Sequence, residues 1–389
     1  MTGAVPEAER DQAIARSLCG WFEASARDLP WRRTRDPYAI WLSEIMLQQT
    51  RVDTVVPYYE RFLGRYPDAA SLARAEVDDV LSMWSGLGYY RRARELHAAA
   101  REVVERYGGK LPSEASELKK LPGIGAYTAG AISSIAFGKA EALVDGNVAR
   151  VLSRIEGIEE DVRSVSGSKR LWATAMRLVP ADRPGMFNES LMELGATVCT
   201  PRDPSCGACP VRWACEAART GRQNELPVVG ARAKVPVVKM VAAVVRHGRE
   251  VLFARRAEGG LFGGLWEPPM VEAASLAGAA PALRGAGIAA AGLKKVGKVR
   301  HVLSHRELDV VVAGAEVGAR YEVPALSTAP YERAAWLDPA VAGVGISTLA
   351  RKVLEAAGPS RAERAAAVEK EIGGGRGRGG KKGRAGRGD

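Results

Sequence analysis

No apolar run in the sequence approaches the ~20 residues that cross a bilayer. Its opening, MTGAVPEAERDQ, lacks the charged-then-apolar order of a secretion signal. A cytoplasmic protein with no membrane partner is expected. Cysteine is sparse, with five among 389 residues. Four of them, Cys199, Cys206, Cys209 and Cys215, crowd into one short segment, and Cys19 stands far away. In a reducing compartment such a cluster holds metal more readily than it forms disulfides. Cys19 reads as a core thiol. The first 220 residues also lack convincing strand alternation.

What is present is basic. The formal net charge is +11, with 56 Lys and Arg against 45 Asp and Glu. Such a surplus points to a polyanionic partner, nucleic acid first. The tail, 358–389, ends in GGGRGRGGKKGRAGRGD, which cannot bury a core and is expected to be disordered. Arg376, Arg378, Lys381, Lys382, Arg384 and Arg387 stand there against Asp389, about five of the eleven net charges. The rest of the chain stays basic, and the tail would add phosphate affinity without reading sequence.

With 47% hydrophobic residues the length suits two domains. Residues 1–220 are expected to be helical. Apolar Ile14, Leu18, Trp21 and Phe22 fall at helical spacing. Asp36-Pro37 reads as an N-cap followed by proline at the first helical position, opening a helix through YAIWLSEIMLQQT. Further helices are expected in VDTVVPYYERFL, VDDVLSMWSGL, ARELHAAAREVVERY, ASELKKL, YTAGAISSIAFG and NVARVLSRI. Residues 221–236 read as a linker. In 237–357 two strands joined at His247-Gly248, a further strand pair over KVRHVLSHRELDVVVAGAEV and a closing helix over ISTLARKVLEAA suggest a small α+β domain.

Three local patterns carry chemistry. The cysteine spacing is C-x6-C-x2-C-x5-C, over 199–215. Four thiolates suit zinc or an iron–sulfur cluster, and the single close pair with wide flanking gaps favours iron–sulfur. Arg202 and Arg212 would aim positive charge from this loop at a phosphate backbone. Leu121-Pro122-Gly123-Ile124-Gly125 lies between two expected helices. Gly123 and Gly125 permit a tight turn with exposed N–H groups at a helix start, which favours a DNA phosphate. Asp145 precedes another helix, whose N-terminus would keep its carboxylate ionised. An anion there could stabilise a cationic sugar, although by itself it could equally be an ordinary N-cap.

Together with WLSEIMLQQTRV, WSGLGYYRRAR, LPGIGAYTAGAI, VDGNVARV and FNESLMELGA, this order of motifs resembles the endonuclease III superfamily, most closely its MutY branch of adenine glycosylases. The resemblance covers about 10–357 and is closest over 28–220. It implies an all-α helix-hairpin-helix glycosylase domain with a [4Fe-4S] cluster on the four cysteines, then a C-terminal α+β Nudix-like domain. It implies a monomer working on nucleoid DNA: double-stranded DNA with A:8-oxoguanine or A:G mispairs, from which adenine is removed by base flipping. Glu44 would protonate the base. Its apolar neighbours Trp41, Ile45 and Met46 would raise its pKa. Asp145 would stabilise the oxocarbenium ion, with Tyr127 and Asn147 orienting Asp145 and the water. Glu189, Arg32 and Trp31 would line the adenine pocket, though Trp31 and Tyr90 could equally be core residues. Gln49 and Tyr89 would wedge into the base stack. The bifunctional branch carries a lysine where this chain has Tyr127, and a phenol cannot form a Schiff base, so a monofunctional enzyme is expected.

GGLWEPP at 263–269 fits the Nudix fold, but VEAASLAGAAPALRGAGI has too few acids for the metal-binding run of active Nudix enzymes. No pyrophosphatase activity is expected. Leu303-Ser304-His305, flanked by Arg300 and His301, resembles the branch's 8-oxoguanine recognition loop, with Leu303 where an aromatic residue also occurs. Two other readings remain open at this point: a thymine-mismatch glycosylase, which would not need 237–357, and a non-catalytic iron–sulfur DNA sensor, which would not need both Glu44 and Asp145.

Overall fold

Helical spacing in the first half becomes helices. They are α1 (Glu7–Ser25), α2 (Pro37–Leu47), α3 (Val52–Arg65), α4 (Ala69–Ala73), α5 (Val77–Met83), α6 (Arg91–Tyr107), α7 (Ala115–Leu118), α8 (Ala126–Phe137), α9 (Gly146–Glu156), α10 (Val165–Leu178), α11 (Pro184–Thr197) and α12 (Glu216–Thr220). The structure, a computed structural model, describes residues 6–230, 235–288, 292–323, 330–340 and 343–359. The chain divides into two units, Met1–Ala233 and Lys234–Asp389. The basic tail lies outside the described residues from position 360 onward.

Asp36 caps α2 as expected. Its carboxylate accepts the Ala39 N–H at 2.7 Å, and Pro37 opens the helix. The helix is shorter than its sequence predicts, ending at Leu47 rather than running through Thr50. Gln49 turns to φ 56°. The Arg92 guanidinium takes the carbonyls of Ile45, Met46 and Gln48 at 2.7–2.8 Å. Those carbonyls would otherwise be orphaned, so a distant arginine replaces the usual glycine cap.

One core joins α1 to α8–α11, with Ile14, Leu18 and Cys19 packed among Leu143, Val151, Phe187 and Leu191. Cys19 is buried there. Around α2–α6, Trp41, Phe62 and Trp84 are fully buried, Phe62 lying edge-on to Tyr66 and Trp84. Burying several aromatic rings contributes heavily to such a core. Residues 224–230, expected as linker, fold back on this unit. The Leu226 carbonyl accepts the Arg154 Nε–H at 2.9 Å, and the Val228 carbonyl accepts the Val162 N–H at 3.1 Å. Leu226 is apolar and buried, which is why the segment packs despite its polar neighbours.

The second unit holds β1 (Val237–His247), β2 (Glu250–Arg256), β3 (Trp266–Glu267), β4 (Met270–Glu272), β5 (Lys294–Val302), β6 (Glu307–Glu316) and β7 (Tyr331–Leu337), with helices α13 (Leu276–Gly285) and α14 (Thr348–Ala356). The strands form one sheet in the order β3-β2-β1-β6-β5, with β4 also on β1 and β7 on β2. The β1–β2 turn falls at Gly248-Arg249, one residue later than expected. The principal partner of β1 is β6, which runs parallel to it from Val237↔Glu307 to Arg246↔Glu316.

Both faces of β1 and β2 are covered. Ala242, Val244, Val251 and Phe253 pack with Leu349 and Val353 of α14. Val241, Ala243, Val245 and Leu252 pack with Ala279 and Leu283 of α13. A strand buried on both faces reads as a continuous apolar run, hence VVKMVAAVV. The outer strand β5 exposes Lys294, Lys295, Lys298 and Arg300. Lys298 pairs with Asp309 at 2.9 Å, and Arg300 pairs with Glu307, both across to β6.

Candidate active site

A cavity of about 480 Å³ opens in the helical unit, lined by α2, α8, α11 and the 3-10 turn Pro30–Arg33. Glu44, Tyr127, Asp145, Asn147, Glu189, Arg32, Trp31 and Gln49 all border it. Residues from five separated segments thus meet at one place. Its volume suits a single heterocycle with its sugar.

Glu44 lies on the last turns of α2 and is 5% exposed. Burial pushes its carboxyl up to about 7, helped by the negative charges of Asp145 and Glu189; the Tyr127 hydrogen bond pulls the other way. A carboxylic acid held near neutrality can deliver a proton at physiological pH. The Tyr127 hydroxyl donates to Glu44 Oε2 at 2.6 Å. The Tyr127 hydroxyl thus goes to Glu44, not to Asp145, which it was expected to orient. Both partners resist ionisation, since burial and the nearby Glu44 hold the phenol well above its ordinary value.

Asp145 is both N-cap and cavity group. Its Oδ1 accepts the Val148 N–H at 2.7 Å, capping α9, while Oδ2 lies 3.3 Å from the Asn147 amide nitrogen. Two opposed effects act on its carboxyl. The N–H bonds lower its pKa, but burial outweighs them and the net shift is upward. Asn147 in turn accepts Arg150 Nη2–H at 2.9 Å, and the same nitrogen donates to the Gly195 carbonyl at 2.7 Å. Gly195 is where α11 touches this loop: a Cβ there would sit 2.6 Å from Asn147 Cβ. Only glycine lets α11 lie so close.

On the opposite wall, sequence reasoning found Arg32 and Glu189 but missed their organiser. Glu193, one turn after Glu189 on α11, is 1% exposed and accepts from Arg27 Nε and Nη2 and from Arg32 Nη2, all at 2.8 Å. Burial would raise its carboxyl, but the hydrogen bonds from Arg27 and Arg32 win and hold it down to about 2. Glu189 is instead raised, by burial first, despite Arg35 at 3.0 Å and Arg32 at 3.9 Å. The signal was present as two glutamates at i and i+4, which share a helix face. Trp31 lines the cavity and packs edge-on to Tyr59 at 5.4 Å. Tyr90 is buried, its hydroxyl accepting the Gly86 N–H at 3.2 Å.

Gln49 and Tyr89 are two of the non-glycine residues at positive φ, 56° and 49°. Tyr89 is 49% exposed. Such backbone conformations are costly for ordinary residues and cluster at functional sites. Between α7 and α8, Gly123 adopts φ +73°, and its Cβ would meet Glu95 Cβ at 2.7 Å. Gly125 is the N-cap of α8 in an extended conformation. In the other unit, Ser304 and His305 form the exposed turn between β5 and β6, closed by the Leu303 N–H on the Arg306 carbonyl at 2.8 Å. Leu303 packs partly into the sheet core. The ten residues of α13, where an acidic run would be needed for pyrophosphate chemistry, contain no acid.

The four cysteines line one pocket together with Arg154 and Arg212. Arg154 Nη1 donates to Cys199 Sγ at 3.3 Å and to the Thr200 carbonyl at 2.7 Å. Arg150 Nε donates to the Cys199 carbonyl at 2.8 Å. Two arginines of α9 therefore tie the cysteine loop to the helix that Asp145 caps. Among the described residues, no three His, Cys, Asp or Glu side chains are gathered closely enough to hold a single metal ion. Arg202 and Arg212 are exposed on this loop, as is Trp213. Among the described residues no helix is long and apolar enough to cross a membrane.

A helical unit built this way defines a class. Residues 42–177 match the HhH-GPD superfamily of base excision DNA repair proteins, and residues 240–356 match the NUDIX domain. A thermostable thymine-DNA glycosylase of known structure is 32% identical, with a TM-score of 0.50, over 55% of this chain and 98% of that one. The adenine DNA glycosylase of Mus musculus is 36% identical over 411 residues, covering 88% of this chain and 77% of that protein. That of Homo sapiens is 38% identical over 371 residues, covering 78% of this chain and 66% of that protein's length. The chain belongs to the adenine DNA glycosylase family.

Proposed function

We propose that this chain excises adenine mispaired with 8-oxoguanine or guanine in duplex DNA and leaves an abasic site. The observation that carries the reading is the pair Glu44–Tyr127 in a cavity that Asp145 also borders. The adenine would leave the stack and enter this cavity, as a base must for chemistry at its glycosidic bond. Glu44, protonated near pH 7, would donate to the purine ring and make it a leaving group. Asp145 would face the cationic sugar that develops, two carboxylates thus dividing the labour as in glycosidases. Asn147 fixes the second oxygen of Asp145 and would help orient the water. Tyr127 offers no amine, so the reaction would stop at hydrolysis. Glu189 and Arg32 would contact the edge of the base, and Gln49 and Tyr89 would fill the space it leaves. Gly123 and Gly125 would hold a phosphate through backbone N–H groups.

Cys199, Cys206, Cys209 and Cys215 would hold a [4Fe-4S] cluster. The four thiols line one pocket beside Arg154, and their spacing, a single close pair with wide flanking gaps, favours an iron–sulfur cluster over zinc. When bound, the cluster would brace the loop that presents Arg202 and Arg212. Cys209→Ser should lose iron and sulfide together, and zinc in place of iron in the purified chain would rule out the assignment.

Ser304 and His305, exposed at their turn, would read 8-oxoguanine, and the enzyme would act as a monomer on nucleoid DNA. Incubation with duplexes bearing A:8-oxoguanine, A:G, T:G or an oxidised pyrimidine, followed by alkali, tests the proposal. Alkali-dependent breaks at adenine are expected. Cleavage of only the T:G or pyrimidine duplexes would overturn the substrate, and breaks without alkali would overturn the hydrolytic end point. Ser304→Ala should narrow the preference for A:8-oxoguanine over A:G; an unchanged ratio removes Ser304 from the recognition.

A further inference from the structure

Arg92, which stands in the WSGLGYYRRAR motif with no role assigned to it there, is a heavily bonded side chain near the cavity that the chemistry above does not use. It stands on the first turn of α6 and is 7% exposed. One guanidinium nitrogen reaches the carbonyls of Ile45, Met46 and Gln48 at 2.7–2.8 Å. The other reaches Thr50 Oγ1 at 3.1 Å and the carbonyls of Leu87 and Gly88 at 3.4 and 3.2 Å. Its plane also lies over the rings of Trp84 and Tyr89, at 5.3 and 5.5 Å.

These partners fall in two loops far apart in sequence. One, after α2, holds Gln49 at φ 56°; the other, before α6, holds Tyr89 at φ 49°. Neither conformation is favourable for its residue type, so each needs outside support. A planar fork can satisfy two sets of acceptors at once, which a lysine point charge cannot. The cation also sits at the C-terminal end of α2, where the helix dipole favours it.

We infer that Arg92 is a positioning residue that locks the Gln49 and Tyr89 loops into one rigid wedge, so that both enter the DNA together and extrude the base. This rests on the excision reading above. Arg92 also holds the Ile45 and Met46 carbonyls beside Glu44, but the Glu44 carboxyl has its own bond from Tyr127, so the larger effect of Arg92 falls on extrusion rather than on bond cleavage. Misplacing a positioned group by about an ångström can cost on the order of a hundredfold in rate.

The test uses Arg92→Lys in the full chain, which keeps a cation at the end of α2 but cannot span both loops. Single-turnover excision is measured for adenine paired with 8-oxoguanine and for adenine in an unpaired bulge, where extrusion is nearly free. The paired substrate should slow at least about tenfold, and the unpaired one by less than about threefold. In parallel, 2-aminopurine at the target should brighten less on binding the variant. Equal slowing on both substrates, as misfolding or a displaced Glu44 would give, overturns the inference, as does no slowing on either. Failure of the unaltered chain to excise adenine from any duplex would instead overturn the activity itself, so the two failures are distinct.

Discussion

The Tyr127 hydroxyl lies 2.6 Å from Glu44 Oε2, so the phenol is bonded to the carboxyl proposed as the proton donor. A phenol that resists ionisation can only donate in this pair, and donation favours the carboxylate. Tyr127 therefore restrains the rise of the Glu44 pKa. Its loss should let burial act unopposed. In Tyr127→Phe the alkaline limb of the pH–rate profile should move to higher pH, although the misdirected acid lowers the maximal rate. A profile that shifts to lower pH would contradict this pairing.

Glu44 also links catalysis to stability. Its folded value of about 7 lies above the ordinary 4.5, so the folded state holds its proton more tightly than the unfolded chain. Below pH 4.5 the acid costs the fold nothing. As pH rises from 4.5 through 7 it destabilises progressively. Glu44→Gln should abolish excision and keep DNA binding. At pH 8 it should be more stable than the parent by about 1–3 kcal/mol, and at pH 4 equal to it. Denaturant melts at the two pH values decide the matter; an equal gain at both would point to packing instead.

Asp145 combines a cap with chemistry, and two substitutions separate them. Asparagine caps helices as well as aspartate does. Asp145→Asn should keep the melting temperature within a degree or two and lose excision. Asp145→Ala should lose excision and also about 1 kcal/mol of stability. If the asparagine variant retained near-normal turnover, the cap would be the whole role of this residue.

Glu193 anchors Arg27 and Arg32, and its low pKa gives a stabilising contribution with the opposite pH sense. That contribution is complete above about 4.5 and disappears as pH falls toward 2. Glu193→Gln leaves two guanidinium groups short of a partner. It should cost about 1–3 kcal/mol near neutrality. Arg32 would then turn toward Glu189 in the cavity, raising KM for the mispaired duplex more than it lowers kcat. A change in kcat alone would mean that the wall it supports does not contact the base.

Much of the site was legible because its residues lie in short motifs. Glu44, Asp145, Tyr127, Asn147, Glu189 and Arg32 were all read from the sequence and all border one cavity. What was not legible depended on contacts across long stretches of chain. Arg92 and Glu193 stand inside the WSGLGYYRRAR and FNESLMELGA motifs, but their roles come from partners 42 and 161 residues away, respectively. The early stop of α2 has the same origin, since nothing between Leu47 and Thr50 marks a helix end. In the second unit the hairpins could be read from turn residues. The parallel β1–β6 pairing could not, because parallel strands are joined by no local turn. Tyr127 borders the cavity with both acids and its hydroxyl bonds Glu44, a choice between two carboxyls that spacing alone cannot make.

The outer strand β5 has a consequence for how the protein keeps in solution. Among the described strands it pairs only with β6, so its other edge is a template to which a further strand could add. Lys294 and Lys295 along it would bring like charges face to face whenever two copies met edge to edge, while Lys298 and Arg300 are already paired with Asp309 and Glu307 of β6. That repulsion discourages copies from zipping together at high concentration and fades as salt screens it. Ionic strength thus acts on this edge from outside, by screening charges that the fold leaves along it.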